Sequence, residues 1–262
     1  MTQSRSIPDG LRIVTAAERP ELVPGMQRLG ASPWPEFLDH DAAVNVHWPS
    51  LYELVPEYQF AVLDGQELVA IGNSVPIGWD GDPRTLPPEG IDAVLASGID
   101  RARRGMAATA ASALMIVIRP DHLGRGLSAA CVRAMASVVA AQGAVDLVAP
   151  VRPTHKHRYP LIPMEQYASW RRPDGTRFDP WLRVHERVGG EPIGVAPAAM
   201  TVRGSVREWE EWTGMTFPGS GSFVVPEGLV PVEIDIGRDE GRYVEPGFWM
   251  RHRCPPADGA RT

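Results

Sequence analysis

The sequence predicts a mixed α/β fold of the α+β kind in a single domain, and three observations carry that expectation. Short apolar runs alternate with stretches of helical period along the chain. Two of these runs, within YQFAVLDGQELVAIGNSVPIGW, are joined through Asp64-Gly65, a strong short-range signal for a β-hairpin. A third apolar run ends at Ile118 and passes through Gly124-Arg125-Gly126 into a helical stretch, the order of a strand, a tight loop and a helix.

In chain order, LRIVTAAE at 11–18 reads as a first strand, and ERPELVPGMQRL opens a helical stretch. A second helical stretch runs from about 35 to 55, and the hairpin follows. A Pro/Gly/Asp-rich patch leads into the helix GIDAVLASGIDRARRG, and ATAASALMIVI is the strand that feeds the glycine loop. Beyond the loop, Leu127, Cys131, Ala134, Met135 and Val138 share one side of a helix that Gly143 stops. VDLVAPV is another strand. Pro150 cannot donate to a ladder, so this strand is expected to leave a neighbour near that point. Residues 152–180 show no clean period and read as an aromatic, basic insert. The helix PWLRVHER, the strand IGVAPAAMTV, a helix capped by Ser205 with Glu208 three residues on, and strands at LVPVEIDI and YVEPGFWMRH complete the chain. One domain is expected over 1–252, with insertions near 80–108 and 152–178, and a disordered tail over 253–262.

Composition narrows the function classes. The 262 residues are 44% hydrophobic and 22% charged, ordinary for a globular protein. No apolar run approaches the roughly 20 residues of a membrane span. The N-terminal MTQSRSIPDG has no apolar core for a secretory signal, so a soluble, cytoplasmic protein with no membrane partner is expected. A net charge of −6 speaks against a nucleic-acid partner, since phosphate backbones demand a basic surface. Cys131 and Cys254 are too few for a disulfide framework.

The glycine loop is the chemically informative stretch. A strand that delivers the chain through glycines into a helix presents free N–H groups at the positive end of the helix dipole, which suits an anion. A plain turn is the bland reading. LGRGLS has no G-K-[ST] and no third glycine, so it is neither a nucleotide P-loop nor a dinucleotide fingerprint.

The order of strand, hairpin, strand, glycine loop, helix and strand, with a later VHERVGGEPIG, resembles the GNAT acyltransferase superfamily. Its loop motif, Q/R-x-x-G-x-G/A, is matched by LGRGLS, with Gly126 on the invariant glycine and Leu123 where a glutamine or arginine is usual. The resemblance spans about 11–200 in element order but is specific only in these two motifs. It implies a central, mostly antiparallel sheet flanked by helices, with an acyl-CoA such as acetyl-CoA as donor and a small-molecule amine as acceptor. Leu123, Gly124, Arg125, Gly126, Leu127 and Ser128 are then expected at the pyrophosphate, and the backbone of Ile116, Val117 and Ile118 at pantetheine. Arg125 or Arg119 is expected to stand in for the polar side chain missing at Leu123.

The resemblance also puts His185 where a tyrosine acid is usual, and an imidazole with an ordinary pKa near 6.5 suits proton transfer at neutrality. The alternative for His185 is a helix residue with a purely structural role. Tyr159 is the second candidate acid. His155, Lys156 and His157 in the insert are candidates to bind the acceptor, and Lys156 is the only lysine of the chain. No third ligand accompanies the H-x-H pair, so no metal is expected. Glu233, Asp235 and Glu245 are carboxylates able to orient an amine, with a solvated stripe as their plainer reading. Two other functions stay open: transfer of a longer acyl group from acyl-CoA or a carrier-protein thioester, and a CoA-binding module without catalysis. A homodimer is also compatible with the sequence.

Overall fold

The structure is a computed structural model that describes residues 10–31 and 34–256. The N-terminal stretch read above for a signal, up to residue 9, and the tail from 257 on lie outside the described residues. Nine strands form one sheet in the order β1 (Leu11–Thr15), β2 (Phe60–Asp64), β3 (Glu67–Ile77), β4 (Ala110–Ile118), β5 (Asp146–Val151), β9 (Glu240–Arg253), β8 (Val232–Asp235), β7 (Gly221–Phe223), with β6 (Glu191–Gly204) also paired to β9. Every pairing is antiparallel except β4 with β5. The hairpin forms where Asp64-Gly65 places it, with Asp64 paired to Glu67 and Gly65 in the left-handed conformation. β9 runs through Arg253, and the Cys254 amide still bonds Val145, so ordered chain extends past the expected boundary at 252. β7 has no counterpart in the sequence reading, because three residues of GSF carry no period.

The helices are α1 (Val23–Ala31), α2 (Ala42–His47), α3 (Leu51–Leu54), α4 (Gly90–Arg103), α5 (Leu127–Ala141), α6 (Met164–Ser169), α7 (Pro180–Arg187) and α8 (Val206–Thr213). The helical stretch expected over 35–55 is broken into short pieces. Asp41 starts α2 by accepting from the Val44 amide, Pro49 sits second in the 3-10 turn Trp48–Ser50, and Pro56 begins another. Ser205 and Glu208 form the expected reciprocal cap on α8.

Alternation along β3 tells the two faces apart. A Cβ on Gly30 of α1 would meet Ile71, whereas one on Gly72 would meet Met135 of α5 and Phe60. α4 packs on the α1 face, its Gly98 lying against Val75. Along β9, Trp249 packs in the core with Val94 and Leu95 of α4, while Phe248 and Met250 pack with Leu182 of α7 and Tyr167 of α6. The sheet thus carries α1 and α4 on one face and α5, α6 and α7 on the other. Among the described residues no helix is long and apolar enough to cross a membrane.

Candidate functional site

β4 and β5 pair at only two positions, Ala111 with Leu147 and Ser112 with Val148. β5 then stays with β9, Pro150 opposite Trp249 and Val151 opposite Phe248, while β4 stays with β3. The two parallel strands part into a wedge between residues 113–118 and 149–151. The missing N–H of Pro150 gives the physical reason. On the other edge of β4 the register slips between Asn73 and Ser74, so that Leu114 is a bulge with no partner in β3.

β4 ends in a short turn at Pro120–His122, and Leu123 follows, 59% exposed. Gly124 and Gly126 have φ of +77° and +79°, the left-handed conformation in which a side chain is strained, and no atom would touch a Cβ at either. The space above them is open. Gly126 is the N-cap of the 15-residue α5, whose first turn has neither a side-chain cap nor an acidic residue. Its first amides are unsatisfied by the helix itself, an arrangement able to receive an anion. Arg119 bonds Glu67 and Asp121, which leaves it poorly placed to serve in place of a side chain at Leu123. Arg125 is exposed, with no ion pair among the described residues.

α7 lies beside α5 on the same face of the sheet. Asp179 caps it, accepting from the Trp181 and Leu182 amides, and also binds the His155 amide at 2.9 Å and the Tyr167 hydroxyl at 2.7 Å. One carboxylate thereby joins α6, α7 and the start of the insert. His185 is 3% exposed, and its Nδ1 lies 2.8 Å from Nε2 of His252, itself 4% exposed. Nε2 of His185 is buried without a partner. Burial, with a smaller contribution from His252, lowers the His185 pKa to about 3, and burial lowers that of His252 to about 4. His185 thus lies well below the ordinary imidazole range, and its ring is neutral at physiological pH.

The insert is packed rather than open. Tyr159 meets Trp170, Tyr167 and Phe178 with ring centroids 4.9, 5.8 and 5.8 Å away. Lys156 is fully buried, its Nζ donating to the carbonyls of Tyr159 at 2.8 Å and Leu229 at 2.6 Å, and burial lowers its pKa to about 8. His157 contacts the Thr154 carbonyl through Nδ1 at 3.0 Å, with Nε2 3.7 Å from Glu227. The structure therefore brings the three residues of HKH to different partners. No group of three or more metal-ligating side chains occurs among the described residues.

Of the three late carboxylates, Glu233 is exposed and Asp235 caps its own turn at Arg238. Glu245 differs: it is buried past the end of β5, paired with Arg152 at 2.7 Å and accepting the Tyr243 hydroxyl at 2.6 Å. Sequence reasoning missed a buried polar network on the α1 face of β3. There Asn73 donates from Nδ2 to the Tyr52 hydroxyl oxygen and to Gln59, both at 2.9 Å, and its Oδ1 has no partner. Because the Tyr52 oxygen accepts, its proton is available to a third group. The available signal was the polar pair Asn73-Ser74 inside an otherwise apolar strand.

No family model matches the chain. It is 31% identical over 278 aligned residues to the arginine N-acetyltransferase avaD of Aspergillus versicolor, an alignment that covers 94% of this chain and 95% of that protein. Among solved structures, the loading GNATL domain of CurA from Lyngbya majuscula superposes with a TM-score of 0.62 at 17% identity, over 93% of this chain and 98% of that one. The GphF GNAT-like decarboxylase in complex with isobutyryl-CoA superposes with a TM-score of 0.53 at 15% identity, over 93% and 100%. These two likenesses establish a shared fold.

Proposed function

Since this chain belongs to the GNAT N-acetyltransferase superfamily, we propose that it is an acyltransferase in which the β4–β5 wedge and the glycine loop hold acyl-CoA while a small amine attacks the thioester. The observation that carries this reading is the combination in one place of an uncapped helix N-terminus, two left-handed glycines and a strand edge freed by a proline. The amides of Leu127 and Ser128, with Arg125, suit a pyrophosphate. The freed edge of β4 at Ile116, Val117 and Ile118 suits the amides of pantetheine, which need backbone partners in an otherwise apolar slot.

In the reaction, the acceptor nitrogen forms a bond to the acyl carbon, the C–S bond breaks, and one proton passes from the tetrahedral ammonium to the departing sulfur. The neutral His185 ring supports the second step by donating a hydrogen bond from Nε2 to the developing thiolate, as an uncharged electrophile rather than as an imidazolium. Tyr52 is the second candidate donor, on the opposite face of the wedge, and replaces Tyr159, whose ring is committed to the aromatic cluster.

A cationic amino acid is the favoured acceptor class, because the relative at 31% identity is named an arginine N-acetyltransferase and the chain carries net negative charge. The test is release of free CoA thiol from acetyl-CoA in the presence of an amine panel headed by arginine, with calorimetry of CoA binding. Amine-dependent release is expected. Absence of CoA binding at millimolar concentration would end this reading, and strict preference for a longer acyl-CoA would move it to a longer-chain donor.

A further inference from the structure

Two imidazoles held 2.8 Å apart between Nδ1 of His185 and Nε2 of His252 are buried together under α7. Both rings are neutral, so one of the facing nitrogens carries the proton and the other accepts it. Two arrangements result. If His252 donates, the proton of His185 sits on Nε2; if His185 donates, its Nε2 is a bare lone pair.

Nε2 of His185 is the atom for which this choice matters, because it is buried with no partner. Leaving a buried polar atom without a partner is costly, and one that persists beside a candidate site calls for a role. The surroundings limit what that group is. His252 pairs in register with Leu147 of β5, only two residues before Ala149, where β4 and β5 have already separated. The origin of the wedge therefore lies about 7 Å along β5 from the position opposite His252. Both histidines occupy the face shared by α5 and α7, and the Trp181 ring stands against His185 with centroids 4.6 Å apart. Room for the pair is secured by Gly190, since a Cβ there would come within 2.7 Å of Cε1 of His252.

We propose that His252 is a positioning residue: through its Nε2–H it fixes the proton of His185 on Nε2, so that His185 presents a hydrogen-bond donor to the sulfur of the departing thiolate. A thiolate only accepts. The opposite arrangement would face it with a lone pair and raise the barrier to C–S cleavage. The inference rests on the role of His185 proposed above, and it adds what that role requires of a residue 67 positions away in the chain.

The experiment combines imidazole 15N NMR of the protein loaded with CoA and steady-state kinetics of two variants. The expected spectrum has His185 protonated at Nε2 and bare at Nδ1. His252→Leu is expected to lower kcat about 10- to 100-fold, the usual range for lost outer-shell support, while KM for acyl-CoA moves less than about threefold. His252→Gln keeps a donor at the same place and is expected to restore kcat to within about fivefold of wild type. A spectrum with the His185 proton on Nδ1 in the CoA complex overturns the proposal, and so does a folded His252→Leu enzyme with unchanged kcat. Should His252→Leu not fold, the wild-type spectrum and the glutamine variant still decide. A wild-type protein without amine-dependent thiol release defeats the acyltransfer reading instead, an outcome separate from the tautomer measured in the same protein.

Discussion

Replacing Asp92 by asparagine should change the pH dependence of stability in a calculable way. Asp92 of α4 and Asp41, the N-cap of α2, both accept from the Thr201 amide of β6, at 3.0 and 3.1 Å. Thr201 lies just past a register shift between Ala196 and Met200 and is paired with Val244 of β9, so the two carboxylates hold β6 where its regular pairing resumes. Burial first, and the Asp41 charge second, push the Asp92 pKa up to about 8 from 3.8; burial raises Asp41 as well. The sign follows directly. Between those two values the folded chain holds a proton that the unfolded chain releases, so stability is fully present below 3.8 and is lost as pH rises through 8. At about 1.4 kcal/mol per pH unit, flattening near the folded pKa, the wild type should lose about 2 kcal/mol from this group between pH 6 and 8. An asparagine cannot ionise, yet it keeps the shape and a donor toward Asp41. Urea denaturation of Asp92→Asn and wild type at the two pH values should therefore show the variant gaining about 2 kcal/mol relative to wild type at the higher pH. A difference that stays constant within about 0.5 kcal/mol across this range would refute the shared-proton clasp.

Substitutions at three further positions test the site and its supports. Gly126→Glu should abolish CoA binding by calorimetry, because it sets an anion at the uncapped helix N-terminus and strains a left-handed position; Gly126→Ala, with the strain alone, should keep most of it. Leu123→Arg, at an exposed position in the same loop, should lower KM for acyl-CoA several-fold without changing Tm, and an unchanged KM would place Leu123 away from the phosphates. Lys156→Met removes the donor to two buried carbonyls and should cost about 2–4 kcal/mol in denaturant unfolding; a change under about 0.5 kcal/mol would show that the insert does not depend on this lysine.

Much of the frame was legible because it is written in local signals. The Asp64-Gly65 turn, the strand ending at Ile118, the glycine loop and the Ser205–Glu208 cap each depend on residues within a few positions of one another, where backbone sterics and short hydrogen bonds decide the outcome. The departure of β5 from β4 was legible too, since a proline withholds a ladder donor wherever it sits. The stretch 35–55 was read too simply. Its apolar spacing suits a helix, but the Asp41 cap and the prolines restart the chain several times.

What the chain alone determined is the α+β order of elements and an anion-ready loop at a strand end. Tertiary structure decided the rest of the site. His185 and His252 lie 67 residues apart and meet only because α7 is laid over β9; their burial there, and not the imidazole itself, takes His185 far below the ordinary pKa expected from the sequence. Lys156, which looked like a hand for the acceptor, is turned inward onto two carbonyls, and Asp41 and Asp92 converge on one amide across α2, α4 and β6. Pattern and turn chemistry act over a few residues and are therefore readable in order, whereas desolvation and charge proximity depend on which distant groups share a volume, and that is known only once the chain has packed.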